Sequence, residues 1–128
     1  FPKLLTLQFK RRHHLGNCHS KIEIVPVLDL TPYCASSSNE VSGATKPPVY
    51  DLFGIVNHTD YVYKSKATSG PKNDNQGHYT SFVKLGQAGD EWHFLNDSSV
   101  MKLPPNKVKR MVSHSPLVVG LMYQLREN

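Results

Sequence analysis

The stretch GHYTSFVKLGQAGDEWHFLNDSSV, residues 77–100, places His78 directly after a glycine and Asn96 and Asp97 directly after an aromatic-rich run. An imidazole takes and returns a proton near neutral pH. An amide or carboxylate oxygen beside it could accept a hydrogen bond from Nδ1–H, fixing the tautomer and leaving Nε2 to act as the base. His78 with Asn96 or Asp97 is thus the orienting part of a nucleophilic triad, and the nucleophile has to be found elsewhere.

Bringing these residues together requires a hairpin. HYTSFVKL and EWHFLN both read as strands, separated by GQAGD. A turn centred near Gln87 and Ala88 gives paired residues whose numbers sum to 174 or 175. His78 then faces Asn96 (78 + 96 = 174) or Asp97 (78 + 97 = 175), with opposed Cβ atoms roughly 5 Å apart. Register alone leaves both open. The plain alternative is an ordinary histidine at a strand edge. Against it stands the long polar segment TDYVYKSKATSGPKNDNQG, 59–77, because connections of that length in a small domain are commonly functional or disordered. Gly77 also lets another backbone approach the base closely.

The remaining elements are mostly strands. KLLTLQF (3–9) is apolar and β-prone, IEIVPVLDL (22–30) alternates until Pro26 breaks it, and VYDLFGIVNH (49–58) is the strongest strand. RRHHLGNCHS reads as a polar loop and ASSSNEVSGATKPP (35–48) as a surface loop. SVMKL is a short strand, PPNKVKRMV a helix with proline near its start, and PLVVGLMYQL a buried closing strand. The expected class is α+β, mostly antiparallel β-sheet with little helix. Trp92, Phe94, Phe82 and Tyr79 are read as core residues of the hairpin.

With 128 residues the chain is about one domain. Its net charge of +5 and pI near 9.3 raise the question of an anionic partner. The cations are dispersed, however; only KRRHH (10–14) and KVKR (107–110) cluster, and both read as solvated faces, so neither nucleic acid nor a membrane is expected as a partner. Two cysteines, Cys18 and Cys34, make no disulfide framework and no paired zinc signature, which favours a reduced intracellular protein of the cytoplasm or nucleus. His13, His14, Cys18 and His19 match no common metal-site spacing. No metal or other cofactor is expected. A strand beginning at Phe1 without a leading methionine reads as a piece of something larger.

YDLFGIVNH, then GHYTSFVK, then WHFLNDSSV resemble, in that order, the C-terminal half of the ubiquitin-specific protease catalytic domain. FPKLLTLQFKR, KIEIVPVLDL and LVVGLMYQL resemble the flanking segments of the same family. The resemblance spans nearly the whole chain, residues 1–128 forming one unit, apart from the loops 35–48 and 59–76. It implies the palm-like part of a papain-like thiol protease that cleaves after the C-terminal glycine of ubiquitin. His78 resembles the general base, Asn96 (four residues after Trp92) the third triad member, and Asp97 its acidic neighbour. Gly77 and Tyr79 resemble residues lining the channel for the ubiquitin tail. Three features depart from the pattern: Leu95 stands where the family usually has Phe, QFKRR replaces a commoner aromatic-containing run, and the segment before Gly77 is long.

The family's cysteine lies in a box near Leu-Gly-Asn-Thr-Cys-Tyr that opens a helix, whose N-terminus helps to hold a thiolate. LGNCHS (15–20) is similar but lacks one residue before Cys18, and the strand KIEIVPV follows where the helix belongs. Cys34, in TPYCASSSN, has the right order before His78 and Asn96 but no helix signal. The nucleophile is therefore expected in the N-terminal half of the catalytic domain, which becomes a partner alongside ubiquitin or a ubiquitinated protein. This chain by itself is expected to be inactive. The alternative is a non-catalytic ubiquitin-binding or scaffold module of the same fold.

Overall fold

The computed structural model describes residues 1–13, 16–18, 20–34, 48–60, 77–85, 91–111 and 114–127. Seven strands form one sheet: β1 (Leu4–Gln8), β5 (Val27–Asp29), β6 (Val49–Asp60), β7 (Gly77–Leu85), β8 (Glu91–Asn96), β9 (Ser99–Lys102) and β11 (Val118–Leu125). The spatial order is β1-β11-β6-β7-β8-β9, and every pairing is antiparallel. β5 pairs with the first residues of β6, Val27↔Asp51 to Asp29↔Val49, and β7 pairs with β6 from Gly54 onward. One edge of the longest strand is thus served by two partners in succession. Pro26, which has no N–H to give a ladder, lies in the break between the short strand β4 (Ile22–Glu23) and β5.

Two expected boundaries move. The strand predicted to end at His58 continues through Asp60, taking two residues from the predicted loop. The loop predicted over 11–20 contains two short strands, β2 (Arg12–His13) and β3 (Gly16–Asn17), paired with each other. The bulk of the loops expected at 35–48 and 59–76 lies outside the described residues, as do the five residues between β7 and β8.

The buried side chains of β6 and β11 do not keep a single alternation. Tyr50 and Leu52 point inward at even positions of β6, while Ile55 and Asn57 do so at odd ones. The phase changes where the β6–β11 register is irregular, between Met122 and Tyr123. One extra residue in a strand turns every later side chain to the other face, and a register irregularity absorbs it. Tyr50, Leu52, Ile55, Trp92, Val118, Leu121 and Tyr123 thereby share one core with Ile24 of the preceding segment. Two buried phenols are satisfied by backbone: Tyr50 Oη donates to Pro2 O and Tyr123 Oη to Val25 O, each at 3.0 Å.

The helix α1 (Pro105–Met111) lies over the same face, with Val108 and Leu103 against the core. Beside it β10 (His114–Ser115) pairs with β4. Arg11, read from the sequence as part of a solvated cluster, is instead a staple. Its guanidinium donates to the carbonyls of Val118 (2.8 Å), Ser115 (3.3 Å), Cys18 (3.3 Å) and Ser20 (2.5 Å). No helix among the described residues is long and apolar enough to cross a membrane.

Candidate functional site

His78 sits near the start of β7 and Asn96 ends β8. The register between these strands runs from Leu85↔Glu91 to Ser81↔Leu95, so paired numbers sum to 176 rather than the expected 174 or 175. Asn96 is therefore level with Thr80, and His78 reaches it diagonally. The sum is even, which keeps His78 and Asn96 on one face of the sheet; an odd sum would have put them on opposite faces. Diagonal neighbours are within reach of longer side chains. His78 Nε2–H donates to Asn96 Oδ1 at 2.5 Å. Nε2, not the expected Nδ1, faces the amide.

Asp97 is the first residue of the two-residue turn between β8 and β9, since Asn96 pairs with Ser99. Its φ of 50° lies in the left-handed region, which short polar residues such as Asp tolerate better than most. The turn swings the carboxylate outward, leaving it 79% exposed and 3.9 Å from His78 Nε2. The imidazole, at 26% exposure, is better shielded.

Gly77 and Tyr79 belong to the other face of β7. Across the strand pair Thr59 faces His78, His58 faces Tyr79 and Asp60 faces Gly77. The His58 ring packs beside Tyr79, with centroids 4.4 Å apart, and covers Gly77: a Cβ built there would fall 2.0 Å from His58 Nε2. The glycine is needed because this histidine occupies the place of its side chain. Tyr79, expected in the core, is 63% exposed, while Trp92 is buried and Phe82 stacks on Phe94 at 5.0 Å. His58 stands where the family it resembles often has histidine, and its observed part is structural, covering Gly77 and packing beside Tyr79.

Neither cysteine stands on the strands that carry His78 and Asn96. Cys18 is exposed, with Sγ 3.4 Å from Ser20 Oγ. The Ser20 hydroxyl and backbone N–H, with Arg11 beyond them, hold its thiol below the ordinary value. Cys34 closes a 3-10 turn (Thr31–Tyr33) and donates to Leu30 O at 3.3 Å. Both are free thiols. His14 and His19 lie outside the described residues.

The fold is thus a largely antiparallel sheet with one α-helix among the described residues, bearing a histidine–amide pair at the end of its central hairpin. The family model for ubiquitin carboxyl-terminal hydrolase matches residues 1–123, and the chain belongs to that family. It is 27% identical over 131 residues to ubiquitin carboxyl-terminal hydrolase 16 of Danio rerio, covering 84% of this chain and 15% of the relative. Against ubiquitin carboxyl-terminal hydrolase 2 of Homo sapiens the identity is 32% over 114 residues, covering 85% and 16%. Among solved structures, the SAGA Ubp8/Sgf11/Sus1/Sgf73 DUB module superposes with a TM-score of 0.68 at 27% identity, over 98% of this chain and 24% of that one. The same module bound to ubiquitin aldehyde gives 0.62 at 27% identity, over 98% and 25%. The chain therefore spans about a sixth of the curated relatives it matches and a quarter of the solved ones.

Proposed function

We propose that this chain is the base-bearing half of a deubiquitinating thiol protease. The observation that carries the proposal is the bond from His78 Nε2–H to Asn96 Oδ1, in a chain of the ubiquitin carboxyl-terminal hydrolase family. Asn96 holds the imidazole in the tautomer whose Nδ1 is an acceptor. His78 Nδ1 takes the proton of a cysteine thiol supplied by the N-terminal half of the catalytic domain. The thiolate attacks the carbonyl carbon of the bond between ubiquitin's C-terminal glycine and an amine. His78 returns the proton to the departing amine, and then takes one from the water that hydrolyses the thioester. Asp97, close but exposed, is a reserve partner for the ring. Gly77 and Tyr79, under and beside His58, border the path of the ubiquitin tail. We place the reaction inside the cell, where a reactive thiol stays reduced.

The test is hydrolysis of a ubiquitin C-terminal fluorogenic amide by the full-length protein, the 128-residue chain alone and the full-length His78→Ala variant. Turnover by the full-length protein, none by the chain alone and near-complete loss in the variant support the proposal. Activity retained in His78→Ala overturns it. If the full-length protein binds ubiquitin without turning over, the reading becomes that of a ubiquitin-binding module. Turnover by the chain alone that vanishes in Cys18→Ala or Cys34→Ser moves the nucleophile into this chain.

A further inference from the structure

The strand tip that carries His78 is held from one side. The β7–β8 pairing stops at Ser81↔Leu95, whereas the β6–β7 pairing runs on through Asn57↔Thr80, His58↔Tyr79 and Thr59↔His78 to Asp60↔Gly77. Over residues 77–80 the ladder partner among the described residues is therefore β6, and the bond from His78 to Asn96 spans the part of the hairpin where the β7–β8 ladder has ended. The ends of a ladder open most easily. An imidazole that reaches its acceptor diagonally from such an end moves with it.

His58 closes this tip from the opposite face. Its backbone N–H donates to Leu117 O at 2.9 Å, tying the end of β6 to the residue before β11. Its ring packs beside Tyr79, with centroids 4.4 Å apart, and fills the space over Gly77, where a Cβ would overlap it. The two residues it covers are the neighbours of His78 in sequence, one on each side. Gly77 is the freest residue that a strand could begin with, and the ring over it removes that freedom. Alternation places His58 and His78 on opposite faces of the sheet, so any influence of one ring on the other passes through the backbone of β7.

We infer that His58 is a positioning residue: seated over Gly77 and against Tyr79, it holds the tip of β7 on β6 and so keeps the His78 imidazole on Asn96. The catalytic consequence rests on the proton-transfer role proposed for His78; the hold on the ring does not.

The test uses the full-length protein, its His58→Ala and Gly77→Ala variants and the double variant. His58→Ala removes the ring, and Gly77→Ala drives it from its seat. In the double variant a methyl group enters the space that the ring has left. Carbethoxylation of His78 by diethyl pyrocarbonate, followed by peptide mass spectrometry, reads the hold on the imidazole without turnover. Each single variant should raise the His78 rate about fivefold, as loss of one net hydrogen bond would, and the double variant should recover part of it. With a ubiquitin C-terminal fluorogenic amide, His58→Ala should lower kcat about 10- to 100-fold, since a misplacement of about 1 Å can cost the upper figure; KM should change less. An unchanged His78 rate in either single variant overturns the inference, so the failure of one of them to fold does not protect it. A loss carried in KM with kcat intact overturns it too, and makes His58 a wall of the channel only. No turnover by the unaltered protein, with His78 still freed in His58→Ala, overturns the protease reading and leaves the hold on His78 standing.

Discussion

His78 and Asn96 are hydrogen-bonded at 2.5 Å without being a cross-strand pair; the imidazole reaches diagonally past the level of Thr80 to the amide. Only same-face neighbours can meet in this way, so the even register of the β7–β8 hairpin selects Asn96. Asp97 reaches the same ring from the turn, at 3.9 Å.

The unequal placement of the two acceptors predicts coupled losses. In the full-length protein His78→Ala should lower kcat/KM by about 10²–10⁴-fold, the range typical of a general acid–base group. Asn96→Ala should cost about tenfold, because it removes one orienting bond and transfers no proton. Asp97→Ala alone should cost little. The Asn96→Ala, Asp97→Ala double variant should lose more than the product of the single losses, because each acceptor covers for the other. A purely multiplicative result in the four kcat/KM values would show that Asp97 is no reserve.

Gly77→Ala should be destabilising because of His58 and not because of its own backbone, which is ordinary strand. The new Cβ meets the imidazole at 2.0 Å, so the ring must leave its place beside Tyr79. Overpacking of this kind costs about 1–3 kcal/mol. Adding His58→Ala should restore much of that loss by removing the obstruction. Urea unfolding of the two single variants and the double variant measures the coupling; strict additivity would mean that the clash is relieved elsewhere.

Arg11→Lys should loosen the N-terminal segment. A guanidinium presents several donors in a fixed fork, whereas an ammonium cannot span four carbonyls on separate segments. With Val118, Ser115, Cys18 and Ser20 all accepting from Arg11, the loss should be on the order of 1–3 kcal/mol. Faster amide exchange near Ser20 and Val118 should accompany it. A variant as stable and as protected as the parent would show that the staple contributes nothing net.

Stability should fall at both ends of the pH range, for opposite reasons. Arg126 donates to Asp51 through Nε at 2.9 Å and Nη2 at 2.5 Å, and this bonding holds the Asp51 carboxyl below its ordinary value. A depressed carboxyl stabilises the fold above the unfolded value, near 4, and the contribution is lost as pH falls through the folded value. Asp51→Asn should therefore flatten the acid side of a melting-temperature profile. The effect should be small and sensitive to salt, because the pair is half exposed. Burial raises Tyr123 above its ordinary value, so its contribution is intact below about pH 10 and is lost as pH rises further. Tyr123→Phe should flatten the alkaline side while lowering the neutral-pH maximum by about 1 kcal/mol, through loss of the bond to Val25 O. Profiles parallel to the parent's would refute both assignments.

Much of the architecture was legible because it is written in local pattern. Pro26 signalled a break between strands, apolar runs marked β1, β6 and β11, and proline at the start of PPNKVKRMV marked α1. The proximity of His78 to the Asn96–Asp97 turn also followed from a hairpin and nothing else. What local pattern does not contain is phase and long-range partnership. The register sum of 176 depends on how a five-residue connection closes, and a slip of one would exchange Asn96 for Asp97 on the histidine's face. The change of inward phase along β6 depends on an irregularity facing β11, more than sixty residues away in sequence. Arg11 looked like one cation in a solvated run because the carbonyls it gathers include those of Ser115 and Val118, about a hundred residues on. Local sequence determined which segments would be strands and which residues could do chemistry. The packing of distant strands against one another decided which side chains meet, because only that packing sets the face each one occupies.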